Sequence, residues 1–243
     1  MFRAMLAVSC VMYAYNEEEN VVPCMEEALA FLAEATSDHE LILVSDGSRD
    51  GTAEAARSVQ QRHPDHVQVV EYHPNRGIGG ALKAGYAVAR YDWICGLPAD
   101  GQVPPSGLQN LFDVVLGDPA IGVVTCSFPH RFEEADNLVR KVLSRGLRAV
   151  MWAATGVSRT MDGVWLIRRS DYEAITTHSD TFFFNLELPI KAIRSGLKPG
   201  AATMHIRPRR AGESKVVNRK RIQQVVKDLA GLGVELRLGR RLW

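Results

Sequence analysis

Five short apolar runs, each followed by a stretch with helical periodicity, restrict this chain more than any other feature. The runs are Met5 to Met12, Leu41 to Val44, Val67 to Glu71, Trp93 to Leu97 and Ile121 to Thr125. Runs of this length bounded by turn residues read as buried strands. Between them, Glu18 to Ala35 places Val21, Val22, Met25, Leu29 and Leu32 on one face of a helix. Further helices are expected over Ala53–Gln61, Ile78–Arg90 and Ser106–Leu116. Strand and helix alternating at this pitch predict an α/β fold, a mainly parallel sheet with helices on both faces. After Phe128 the rhythm breaks into a helix over 137–154, a strand Val164–Arg168, a helix Phe184–Arg194 and a strand Ala201–Arg207. No linker, repeat or low-complexity segment interrupts the chain. Its 243 residues are therefore read as one domain, in a first half 1–130, a second part 131–215 and a basic C-terminal helix 216–243.

The turn after the second run carries the first chemical signal. Ser45-Asp46-Gly47-Ser48-Arg49-Asp50-Gly51-Thr52 is small, polar and rich in glycine. Asp50 or Thr52 can cap the helix that follows. Asp46 is expected just past the C-terminal end of a strand, where open α/β sheets bind ligands, and a carboxylate there accepts hydrogen bonds from a base or ribose. By itself the stretch is equally an ordinary strand-to-helix turn.

Four more stretches accompany it, in order: Tyr13-Ala14-Tyr15-Asn16-Glu17, Asn75 to Gly85, Pro98-Ala99-Asp100-Gly101-Gln102, and Arg209-Arg210-Ala211-Gly212-Glu213-Ser214-Lys215. The set resembles family 2 glycosyltransferases of the GT-A (Rossmann-like) fold, in their dolichol-phosphate mannose synthase-like branch. That branch typically shows P-x-Y-N-E, V-D-D-G-S-x-D-G-T, G-x-G-x-A, D-A-D-x-Q and R-x-x-G-x-S-K. The resemblance runs from about Ala7 to Lys215.

The resemblance implies an inverting transferase that moves a sugar from a nucleoside diphosphate to a polyprenyl phosphate, another phosphate-bearing molecule or a hydroxyl acceptor. It places Tyr13, Tyr15, Glu17, Asp46, Ala99 and Asp100 around the donor. Glu17 also suits the first turn of a helix on local grounds. The D-A-D-x-Q segment holds Mg²⁺ or Mn²⁺ in the family. Here Pro98 replaces the first aspartate, leaving Asp100 and Gln102, which share a side only if the segment is extended. Ser45 likewise replaces the first acid of the usual pair, and Arg159 stands where an aspartate is common. Arg145 and Arg148 suit an acceptor phosphate, or are solvated positions on a core helix. Asp162 is the candidate base for a hydroxyl acceptor, or a turn cap. Arg209, Ser214 and Lys215 are expected on the diphosphate and acceptor phosphate. Asp100, Asp162, Arg209 and Lys215 are thus the catalytic candidates. Pro98 keeps open a non-catalytic nucleotide-sugar binder. A nucleotidyltransferase, the other alternative, usually opens with a glycine-rich basic loop, unlike Tyr13–Asn20.

Charge separates the two parts. Residues 1–130 hold 7 Lys and Arg against 17 Asp and Glu, whereas 131–243 hold 22 against 11. Such asymmetry fits a phosphate or an anionic membrane surface as partner of the basic part. Nucleic acid is not expected, since no recognition motif is present. Residues 216–243 carry seven Lys and Arg, with Ile222, Val225, Val226, Leu229 and Leu232 at helical spacing. They fit a helix lying on a membrane or one docked on the domain. No apolar run reaches the ~18 residues needed to cross a bilayer. With no signal peptide evident and four scattered cysteines, a cytoplasmic location with buried free thiols is expected, with peripheral membrane contact and homo-oligomerisation left open.

Overall fold

The computed structural model describes residues 5–128, 146, 149–158, 161, 163–208 and 219–238. Seven strands form one sheet in the order β3-β2-β1-β4-β6-β5-β7. They are β1 (Ala7–Ala14), β2 (Asp38–Asp46), β3 (Val67–Tyr72), β4 (Trp93–Pro98), β5 (Ile121–Ser127), β6 (Trp165–Arg168) and β7 (Lys198–Thr203). The pairs β3–β2, β2–β1, β1–β4 and β5–β7 are parallel, and β6 runs antiparallel to both β4 and β5. The helices are α1 (Glu18–Ala35), α2 (Thr52–Arg62), α3 (Ile78–Tyr86), α4 (Leu108–Gly117), α5 (149–155), α6 (Arg169–Glu173), α7 (Phe184–Arg194) and α8 (Arg219–Leu238).

A sheet covered on both faces needs strands that are apolar on both sides. β1 and β2 meet that need by alternation. Cys10, Met12, Leu41 and Leu43 join α1, α2 and α4 in one core cluster. Val11, Ile42 and Val44 join α3 and α7 in the other. Close packing of α3 on β1 depends on Gly85, where a Cβ would lie 2.4 Å from Val11 Cγ1. Gly85→Ala is therefore expected to cost about 1–3 kcal/mol by overpacking. A urea-melt midpoint unchanged from wild type would show that the contact relaxes freely.

Of the boundaries that differ from the sequence expectation, three do so for a traceable long-range reason. β2 continues through Ser45 and Asp46, because Ser45 pairs with both Ala14 and Glu71 and Asp46 with Tyr72. Asp46 is the last residue of the strand rather than the first beyond it. α3 stops at Tyr86 instead of Arg90. The buried carboxylate of Glu40 accepts hydrogen bonds from the Arg90 backbone N–H (2.6 Å) and Arg90 Nε (2.8 Å), drawing the chain off the helix. β7 ends at Thr203 instead of Arg207, which turns away to the segment after β4.

All four cysteines are buried free thiols, as expected. α8 is docked rather than free: Leu229 and Leu232 are buried against Met151 of α5 and Leu186 and Ile190 of α7. Val226 is on the outer side of α8 and exposed. No helix among the described residues is long and apolar enough to cross a membrane.

Candidate active site

Because β2, β1 and β4 are adjacent and parallel, their C-terminal ends open on one edge. Three stretches distant in sequence meet there: residues 13–18, 45–52 and 98–102. The first two are stitched together. Asn16, in the left-handed region at φ 54°, donates its N–H to Ser48 Oγ (3.1 Å) and accepts at Oδ1 from Arg49 N–H (2.8 Å). Glu17 N–H donates to Thr52 Oγ1 (2.9 Å), and Gly51 N–H to Glu18 Oε2 (3.0 Å). Asp50 accepts from the N–H of Thr52 (3.1 Å) and of Glu18 (3.3 Å) and so ties the two loops, while the cap of α2 is Gly51, with no side-chain capping bond from Asp50 or Thr52. Burial opposes ionisation of Asp50, but hydrogen bonds from Thr52 prevail and lower its pKa.

Asp46 is buried and carries the next segment. Its Oδ1 accepts from Tyr72 OH (2.8 Å) and Arg76 N–H (2.7 Å), and its Oδ2 from Gly77 N–H (2.9 Å). Asn75 Nδ2 donates to its carbonyl oxygen (2.8 Å). Burial and then the Asp46 carboxylate push the Tyr72 phenol far above its ordinary range. The Arg76 guanidinium lies 4.3 Å above the Tyr72 ring centroid. One carboxylate thus fixes the entry of α3 with Arg76 facing solvent. Gly77 has φ 93°, and a Cβ there would come within 2.8 Å of Asp180 O.

Asp180 belongs to a stretch that sequence reasoning missed. Its carbonyl accepts from Gly80 N–H (3.0 Å), and its carboxylate pairs with Lys83 Nζ (2.8 Å). Buried Glu187 of α7 accepts from the N–H groups of His178 (2.9 Å) and Ser179 (2.8 Å). Lys191, also buried, bridges Glu187 (3.0 Å) and Glu235 of α8 (2.7 Å). The second part of the chain therefore grips the α3 entry through 178–180.

On the other side of β1, Ala99 is buried and donates its N–H to Tyr13 O (3.0 Å). Asp100 follows in a turn with Gly101 at φ 73°, and Asp100 Oδ1 accepts from Gln102 N–H (3.0 Å). The segment is not extended, so the condition for Asp100 and Gln102 to share a side by alternation is not met. Oδ2 of Asp100 has no hydrogen-bond partner among the described residues. Tyr13 is half-buried against the α3-side core, and Tyr15 is 38% exposed at the edge. Ser45, alternating to the opposite face from Asp46, is fully buried with its hydroxyl unpartnered among the described residues. Arg145, Arg148, Arg159, Asp162, Arg209, Ser214 and Lys215 lie outside the described residues.

Residues 9–176 match the sequence profile of glycosyl transferase family 2. The chain belongs to that family. It is 32% identical to the undecaprenyl-phosphate 4-deoxy-4-formamido-L-arabinose transferase of Yersinia enterocolitica serotype O:8, over 86% of this chain and 62% of the relative. To the dolichyl-phosphate beta-glucosyltransferase of Drosophila melanogaster it is 30% identical, over 75% of this chain and 61% of the relative. The chain thus spans less than two thirds of the length of either. The fold is shared with mannosyl-3-phosphoglycerate synthase from Rubrobacter xylanophilus, with a TM-score of 0.73, 18% identity and coverage of 98% and 77% of the two chains. It is shared too with glucosyl-3-phosphoglycerate synthase from Mycobacterium tuberculosis in complex with Mn²⁺, UDP-glucose and phosphoglyceric acid, with a TM-score of 0.70, 17% identity and coverage of 95% and 79%. This GT-A arrangement is the one the motifs imply.

Among the described residues of this family 2 chain, no group of three or more His, Cys, Asp or Glu is gathered to hold a metal ion. At the expected metal segment the donor set among those residues is one carboxylate, Asp100, whose Oδ2 has no hydrogen-bond partner there. That fits a hard cation that takes most of its ligands from phosphates and water, not one caged by the protein.

Proposed function

We propose that this chain is an inverting glycosyltransferase taking a sugar from a nucleoside diphosphate to a phosphate-bearing acceptor. One observation carries the reading: the edge of β2, β1 and β4 gathers Glu17, Asp46 with its fixed α3 entry, and Asp100. Tyr13, Tyr15 and Glu17 would line the base and ribose, with Asp46 holding the segment that faces them and Ala99 and Asp100 toward the diphosphate. Asp100, with Gln102 beside it, would hold Mg²⁺ or Mn²⁺, which supplies charge neutralisation to a departing nucleoside diphosphate. Arg209 and Lys215 would share that neutralisation, and Ser214 would donate to phosphate oxygens. A phosphate acceptor is already ionised and needs no strong base, consistent with Arg159 where an aspartate is usual. Arg145 and Arg148 would hold that phosphate, and Asp162 would serve as base only for a hydroxyl acceptor.

The decisive experiment pairs calorimetry with UDP, GDP and dTDP, with and without Mn²⁺, with transfer assays on polyprenyl phosphate and 3-phosphoglycerate. Cation-enhanced binding of one nucleotide and turnover of its sugar are expected. Nucleotide binding without turnover on any acceptor would favour a non-catalytic binder, the reading that Pro98 supports.

The polyprenyl-phosphate acceptor also calls for contact with a bilayer. Trp152 on α5 is 60% exposed and Leu238 at the end of α8 is 63% exposed. Between α5 and α8 runs a groove of about 470 Å³ lined by Trp152, Leu236, Arg194 and Arg237. Apolar side chains beside unburied guanidiniums match the interface of an anionic membrane. Trp152→Ser is expected to weaken sedimentation with phosphatidylglycerol vesicles several-fold while sparing the thermal midpoint. Undiminished sedimentation would take this face off the membrane.

A further inference from the structure

The proposed donor site depends on Asp100, and within its turn a single hydrogen bond, from Gln102 N–H to Asp100 Oδ1, holds the shape. The rest of its support comes from far away in sequence. Arg207 donates its backbone N–H to Gln102 O (2.9 Å) and its Nε to Gly101 O (2.5 Å). Its two terminal nitrogens donate to both carboxylate oxygens of Glu27 on α1, Nη1 to Oε1 (2.9 Å) and Nη2 to Oε2 (2.6 Å). Two parallel N–H···O bonds fix the plane of a guanidinium as well as its place. The Glu27 carboxylate holds the Arg207 pKa above its ordinary value.

The turn is therefore gripped from two directions. Asp100 Oδ1 takes the Gln102 N–H from within, and Arg207 takes the Gly101 and Gln102 carbonyls from without. Gly101, at φ 73°, offers no side chain to stiffen the turn. Both partners of the outer grip are about one-third exposed, so burial alone does not hold them in place.

We propose that Glu27 and Arg207 are positioning residues that aim Oδ2 of Asp100, which has no hydrogen-bond partner among the described residues, at the donor diphosphate and its cation. The proposal rests on the donor reading given above. The pair supplies the rigidity that a second carboxylate at position 98 would otherwise bring, since a lone ligand has no neighbour to correct its aim. Glu27 acts through Arg207 and the turn.

The test is a cycle of Glu27→Gln and Asp100→Asn, read by calorimetric affinity for UDP with Mn²⁺, by UDP affinity without Mn²⁺, and by thermal midpoint. Glu27→Gln is expected to weaken Mn²⁺-dependent UDP binding about tenfold, to leave metal-free UDP binding within twofold, and to have no further effect in the Asp100→Asn background. Arg207→Lys, which keeps the charge and loses the paired geometry, should reproduce the loss. Equal losses with and without Mn²⁺, or independent losses in the double variant, would make the pair a structural tie and overturn the proposal. So would wild-type affinity in Glu27→Gln at an unchanged midpoint. If Glu27→Gln lowers the midpoint, affinities measured well below it decide between the same outcomes. Wild-type protein that binds none of UDP, GDP and dTDP would instead overturn the donor reading itself, and this proposal with it.

Discussion

Asp46→Asn is expected to lose about 2–4 kcal/mol of folding stability and at least tenfold in nucleotide affinity. The carboxylate accepts three hydrogen bonds, from Tyr72 OH, Arg76 N–H and Gly77 N–H, and donates none. An amide has one oxygen. Turned to keep Tyr72 and Arg76, it sets its NH₂ against Gly77 N–H; turned the other way, it faces two donors. Either choice strands a buried donor and removes the charge that strengthened the remaining bonds. The loosened segment is the α3 entry with Arg76, so stability and binding should fall together. Urea denaturation and UDP calorimetry on one preparation check this. A variant with wild-type midpoint and wild-type affinity would remove Asp46 from both roles.

Asp100→Asn should behave differently, with stability intact and transfer reduced on the order of 10²- to 10³-fold. Asparagine keeps an oxygen to accept the Gln102 N–H, so the turn survives. What disappears is the negative charge at Oδ2, with its hold on a cation shared with the diphosphate. Metal-free nucleotide binding should stay near wild type, while the enhancement by Mn²⁺ should largely vanish. Pro98→Asp is the converse, expected to tighten the cation. Pro98 closes β4 opposite Tyr13, so the ring's fixed φ is already that of an extended strand and the exchange asks little of the backbone. Full activity of Asp100→Asn in chelator would show that basic residues alone neutralise the leaving group.

The helix α1 was legible from the sequence because a stripe of buried apolar residues repeats with its own period, whereas α7, found at its expected bounds, is buried without a break from Phe184 to Ala192. The donor edge was legible too, since glycine and aspartate after an apolar run report a local turn. What each carboxylate holds was not. The partners of Asp46 lie 26 to 31 residues away, and the side-chain partners of Arg207 lie 106 and 180 away. No periodicity records such pairings. The one available hint for Arg207 was an arginine inside a stretch read as strand, which a buried strand rarely tolerates without a carboxylate. Likewise Lys191 and Glu187 sit four apart on α7 and read locally as a surface pair. Their burial follows from long-range partners, the 176–179 segment bonded to both and Glu235 of α8 bonded to Lys191.

The reversed direction of β6 has a consequence for how such a protein can diversify. β5 runs with β4, so it ends on the donor edge, and β6 runs against both, so it begins there. The whole excursion between Phe128 and Gly163 therefore departs from and returns to the working edge, at two neighbouring strands. An exchange there leaves the sheet in place only if it keeps Met151 and Val157, which pack on α7 and α8. On the proposed function, transplanting that span from a relative with another acceptor, with Met151 and Val157 kept, should change the acceptor while leaving nucleotide choice where it was.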